Sequence, residues 1–160
     1  MMMRRFVLAL ALATVPGFAV AADNVGCGDY SLKGGEKGVG VVDNPPTGES
    51  IGDTRAGWRK LLDEAGKEIA EVHFVATLTA PETADHGDVL TAQYVVRFAD
   101  GWLATQSLYE LANAADTGQG AGDAVLVVTG GTGPFAGAGG TVAIVAGDPP
   151  TYVFDVRCAK

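Results

Sequence analysis

Hydrophobic and polar side chains alternate with period two over most of the second half of the chain. "EVHFVATLT" (71–79) sets Val72, Phe74, Ala76 and Leu78 on one face, with His73, Thr77 and Thr79 opposite. "DVLTAQYVVRFA" (88–99) divides the same way, Leu90, Ala92, Tyr94, Val96 and Phe98 against Thr91, Gln93, Val95 and Arg97. "WLATQSLYEL" (102–111), "DAVLVVT" (123–129), "TVAIVAG" (141–147) and "TYVFDVRC" (151–158) continue with β-branched and aromatic runs, the composition of strands. Tight breaks separate them: "APETADHG", "DPP", and Asp100-Gly101, a two-residue hairpin signal. Upstream, "GVGVVDN" (38–44) alternates more weakly and stops at "PPTGES", while "CGDYSLKGGEKG" (27–38) reads as irregular. "WRKLLDEAGKEIAEV" offers helical spacing at Leu61, Leu62, Ala65 and Ile69. Gly66 in its middle would cost a helix about 1 kcal/mol, and the flanks are β-rich. Two strands joined by a turn at Asp63–Lys67 fit better.

These segments make about eight strands at short spacing with no crossover helix, so hairpins must connect them and the sheet must be antiparallel. Eight strands is the number that closes a small barrel around one ligand. The predicted fold is all-β, an eight-stranded antiparallel closed β-barrel of calycin-like shape.

The glycine cluster in "VLVVTGGTGPFAGAGG" (125–140) tests that reading, because a strand running into glycines is also how a dinucleotide-binding βαβ unit begins. Such a unit needs a helix after the glycines, whereas these lead into "TVAIV", a β-branched run. The spacing fails as well, since Ala136 stands where the last glycine belongs, and the one acid at a suitable distance, Asp155, lies on the final strand. The glycines are read as turn and close-contact residues at a barrel corner.

The N-terminus changes the picture by subtraction. Arg4 and Arg5 precede an apolar run, Phe6 to Val15, and Ala19-Val20-Ala21 forms a small-x-small site, the pattern of a cleaved signal peptide. Residues 1–21 are therefore set aside, with cleavage after Ala21 or Ala22, leaving 22–160 as a single barrel domain in a secreted or periplasmic protein. Without Arg4 and Arg5 there remain 9 basic and 19 acidic side chains, a charge of −10, which disfavours nucleic acid and anionic membrane surfaces as partners. Cys27 and Cys158 are the only cysteines, and in an exported chain they read as a disulfide. Closing a loop of that length stabilises by about 4–5 kcal/mol in the chain-entropy treatment. His73 and His86, the only histidines, show no ligand spacing, so a metal pair is the weaker reading of the cysteines.

At the glycine-rich loop the sequence resembles the allene oxide cyclase and dirigent proteins, whose strand-loop-strand runs roughly V-x-G-G-[ST]-G-x-F-x-x-A-x-G. "SIGD" (50–53) with "WRKLLD" (58–63) resembles the cyclases' second strand, and "HGDVLTAQYVVRFADGW" their central hairpin. The likeness runs from about Val39 to Cys158. It implies an eight-stranded barrel, shaped like a lipocalin, with a mostly apolar pocket in which a reactive intermediate is cyclised or coupled. Plant members form trimers or hexamers, so the resemblance also implies a homo-oligomer. The family's functional residues carry over poorly. Where the cyclases have a tyrosine and the dirigents an aspartate, this chain has Val125; dirigent arginines fall at Ala136 and Gly139. A polar amide of the cyclases' second strand falls at Arg59, and Asp43 is the nearest candidate for their first-strand carboxylate.

Two arrangements of the strand faces remain open. Either the polar face lines a wet pocket, or the apolar face lines the pocket and the polar face meets solvent, as half-exposed antiparallel strands ordinarily do. Under the second, Tyr94, Phe98 and Tyr109 form the pocket wall, and Asp43 and Arg59 are the candidate catalytic groups at its mouth. His73 reads as a surface histidine, and Asp43 and Asp53 suit turn-capping beside Pro45-Pro46 and Gly52. No Ser-His-Asp spacing, metal cluster or P-loop occurs, so no metal or nucleotide cofactor is expected. An enzyme built this way would be cyclase- or isomerase-like, shaping and desolvating a small apolar molecule. The alternatives are a lipocalin-like protein that binds such a molecule without catalysis, and a structural role through oligomer formation.

Overall fold

A computed structural model describes residues 25–111 and 124–159; the leader falls outside them. Eight strands, β1 (Gly28–Val42), β2 (Thr54–Leu62), β3 (Glu68–Ala80), β4 (Asp88–Phe98), β5 (Trp102–Leu111), β6 (Ala124–Gly131), β7 (Ala138–Val145) and β8 (Thr151–Cys158), form a closed barrel in sequence order. Every neighbouring pair is antiparallel, including β1 with β8. The lead-in expected to be irregular is instead the first part of a 15-residue β1. Its glycines hid it: a register shift runs from Gly34 to Lys37 with Gly35 inside it, and a side chain at Gly34 would collide with Arg59.

The alternation resolves as the ordinary antiparallel case. Leu90, Ala92, Tyr94, Val96 and Phe98 are buried, while Thr91, Gln93, Val95 and Arg97 are exposed. His73 is exposed and pairs with Glu71 (Nε2 to Oε1, 2.7 Å). The β2–β3 turn falls at the expected residues: Asp63 Oδ1 accepts the Ala65 and Lys67 N–H groups, both at 2.9 Å, and Gly66 takes φ +80°. The β4–β5 turn lies one residue earlier than the Asp100-Gly101 signal, closed by Phe98 N–H donating to Gly101 O at 2.8 Å. Gly101 answers a different need, since a Cβ there would strike the Thr132 carbonyl.

One end of the barrel is shut. The β6–β7 connection is a single 3-10 turn, Gly133–Phe135, which drives the fully buried Phe135 ring against Phe98 (centroids 4.7 Å apart). Phe98 also meets Phe154 edge-on, and Phe154 stacks on Tyr30 at 4.6 Å. The Cys27–Cys158 disulfide, Cα atoms 5.8 Å apart, ties the start of β1 to the end of β8 at this same end. The glycine loop is thus an architectural hairpin with no helix to cradle a pyrophosphate.

Candidate functional site

The opposite end collects the polar side chains that point inward. Register puts Arg55, Gly57, Arg59 and Leu61 on the inner face of β2, across from Ala76, Phe74, Val72 and Ala70. Asp88 opens β4 in phase with Leu90, Ala92 and Tyr94, which turns a carboxylate to the inside. It is 1% exposed. Its Oδ1 accepts the Glu82 N–H at 2.8 Å, and Arg55 Nη2 lies 3.7 Å from its Oδ2. Arg55 Nη2 also faces Glu49 Oε1 at 3.8 Å.

The loop between β1 and β2 delivers Glu49 to this position. Asp53 organises that loop, accepting from Asn44 N–H and Ser50 N–H at 2.9 Å each and from the Ser50 hydroxyl at 3.2 Å. These bonds to the charged form hold the Asp53 carboxyl below its ordinary value. Asp53 is therefore the turn-capping residue its context implied. Glu49 is shifted the other way: hydrogen bonding to the Asp88 carboxyl, then burial, raises it, and Arg55 draws it partly back. Asp88 Oδ2 makes no hydrogen bond and faces the Arg55 guanidinium at 3.7 Å. Two carboxyls and one guanidinium thus converge at the barrel mouth.

Below them the wall is apolar and aromatic. The Tyr94 and Tyr109 phenols lie close to each other, Phe74 stacks on Tyr94 at 5.5 Å, and Tyr152 lies near Arg59. Arg59 occupies the space left by Gly34, and its Nη1 donates to Gly35 O at 3.3 Å. Burial raises all three phenols, so they stay protonated as hydrogen-bond donors. Phe74, Tyr109, Arg55 and Arg59 face inward and are only partly buried. At the closed end the Tyr30 hydroxyl is buried without a hydrogen-bond partner.

Of the residues singled out in the sequence, Tyr94, Phe98 and Tyr109 all face inward, Phe98 as part of the floor. Arg59 does too. Asp43 does not join it: it lies just past the end of β1, exposed, with Oδ2 accepting Gly48 N–H at 3.3 Å. Lys37 is the register partner of Arg59, which puts Asp43 six residues further along β1, roughly 20 Å away. Val125 points outward at 60% exposure, so its difference from the tyrosine and aspartate of the resembled families lies off the interior. Glu49, Arg55 and Asp88 were missed. The available signal was phase, since Asp88 and Arg55 are charges in step with a buried face. Among the described residues no three His, Cys, Asp or Glu side chains converge as metal ligands.

No family model matches the sequence, and no curated protein matches it significantly. Solved structures share the fold. A pyocyanin demethylase is 18% identical, with a TM-score of 0.67 over 81% of this chain and 99% of its own. A nonspecific heme-binding cyclase that catalyses [4 + 2] cycloaddition in neoabyssomicin biosynthesis is 15% identical, with a TM-score of 0.59 over 82% of this chain and 65% of its own. The Diels-Alderase AbmU from Streptomyces koyangensis is 17% identical, with a TM-score of 0.59 over 82% of this chain and 64% of its own. At these identities the likeness is one of architecture: a small eight-stranded barrel of the type these enzymes use.

Proposed function

We propose that the barrel interior binds a small, largely apolar molecule through its open end, and that Glu49, Arg55 and Asp88 act on a polar group of that molecule. The observation that carries this reading is Asp88, a carboxylate 1% exposed on an otherwise apolar face, with an oxygen that makes no hydrogen bond and has only the Arg55 guanidinium facing it at 3.7 Å. A buried polar group of that kind is costly unless a partner arrives, and small-molecule sites have this composition, an apolar wall with a few convergent polar groups. The chemistry that suits it is cyclisation or coupling in the manner of the allene oxide cyclases and dirigents. The wall folds the substrate, and a carboxyl holding its proton donates where negative charge develops on oxygen. Barrel neighbours named for demethylation and cycloaddition support such use of the scaffold. The leader pattern and the Cys27–Cys158 disulfide support export to an oxidising compartment. Intact mass before and after reduction checks this; a product that keeps Met1 would contradict it.

A matched pair of probes tests the site. Naphthol and naphthalene differ by one hydroxyl, and calorimetric titration should show saturable one-to-one binding of both, naphthol about tenfold tighter. Asp88→Asn should remove the difference and leave naphthalene unchanged. Equal binding of the two by the wild type would favour a carrier over an enzyme. Absence of saturable binding for either would overturn the proposal.

A further inference from the structure

The barrel wall is uneven where it closes. β8 pairs with Gly28–Lys33 of β1, after which Gly34 N–H donates to Pro150 O at 2.8 Å, whereas β2 follows β1 out to Val42. Among the described residues the backbone of Gly38–Val42 is therefore paired on its β2 side alone. Val39, Val41 and Val42 in this stretch are 55%, 65% and 57% exposed. A free edge is usually blunted by a charge, a proline or a bulge within it, and "GVGVV" contains none of these. Its charges stand at the two ends, Lys37 before it and Asp43 after it.

We propose that this edge pairs with the same edge of a second copy, antiparallel about a two-fold axis at Gly40, giving a dimer by strand addition. In that register Lys37 lies across from Asp43 of the second copy, Val39 across from its Val41, and Gly40 across from its Gly40. The odd-numbered side chains share one face, so it carries two lysine–aspartate pairs flanking two valine–valine pairs, each a favourable cross-strand combination. The even face carries only Gly38, Gly40 and Val42, which lets the backbones approach. Sliding the pairing by one residue would set Asp43 against Glu36 of the second copy and abolish both ion pairs. A two-fold contact of this kind is self-complementary and closed, so it ends at two copies and does not propagate.

Sedimentation velocity over a concentration series tests it, with circular-dichroism melting of each variant to confirm that it folds. The wild type should show a concentration-dependent dimer. Lys37→Asp and Asp43→Lys should each raise the dissociation constant about tenfold or more, since each places like charges opposite one another. The double exchange, K37D with D43K, should restore the wild-type value within a few-fold. Val41→Lys, at an exposed position, should leave a folded monomer. A wild type that stays monomeric at every concentration would overturn the proposal. So would a dimer indifferent to K37D and V41K, or a double exchange that fails to restore association.

Discussion

All four tyrosines, Tyr30, Tyr94, Tyr109 and Tyr152, lie on the inner side of the barrel, and burial raises the pKa of each. A phenol whose folded pKa exceeds its unfolded value stabilises the fold below about pH 10, and that contribution fades as pH climbs past the unfolded value. The predicted outcome in an alkaline titration is one cooperative step, phenolate absorbance appearing together with loss of the β-sheet signal. A fraction of the phenols ionising earlier, in the folded protein, would show that they are open to solvent. Glu49 behaves analogously at lower pH. Its folded pKa is raised, so its contribution is complete below the ordinary carboxylate range and is lost as pH rises through the shifted value. Glu49→Gln should flatten that part of the melting-temperature profile; identical pH slopes in wild type and E49Q would contradict the raised Glu49 carboxyl. None of the cluster was visible as a motif. Glu49 belongs to a turn-rich loop, and only tertiary closure brings it to Asp88 and Arg55.

At the scale of elements, the sequence was most legible where neither face of a strand is interrupted. β4 alternates without a break and matches its expected limits to within a residue. β1 was legible only in its second half, because glycines that make room for Arg59 at Gly34 and for Leu62 at Gly35 look like loop residues when the neighbouring strand is unknown. The hairpin after β6 shows the converse, since the β-branched run that follows its glycines already marks them as turn and close-contact residues, which is how they serve. Gly133 takes φ +60°, and a Cβ there would run into the Asp100 carbonyl of the adjacent turn. Gly133→Val should therefore cost at least about 2 kcal/mol, from the left-handed backbone and the collision together. Chemical denaturation measures this directly, and a variant as stable as wild type would mean the loop is free to rearrange.

For the whole molecule, the eight-stranded barrel followed from strand count and hairpin spacing, whereas the choice of ligand face could not be made until the strands were closed on one another. Two surfaces formed by the described residues bear on where a small molecule binds. One is the interior, with aromatic walls and the Glu49–Arg55–Asp88 mouth. The other is an open groove of about 600 Å³ on the outside of β3–β6, lined by Val75, Leu108, Val127 and polar neighbours such as Gln93 and Gln106. Leu108 is 69% exposed there and faces away from the inner wall. The two differ in which methyl groups a ligand would touch, so methyl-resolved NMR during titration with naphthalene separates them. The predicted result is saturable shifts at inward methyls, Leu90, Val96, Leu126, Val142 and Ile144, with Val75, Leu108 and Val127 unmoved. Shifts confined to Val75, Leu108 and Val127 would place the ligand outside and contradict an internal binding site.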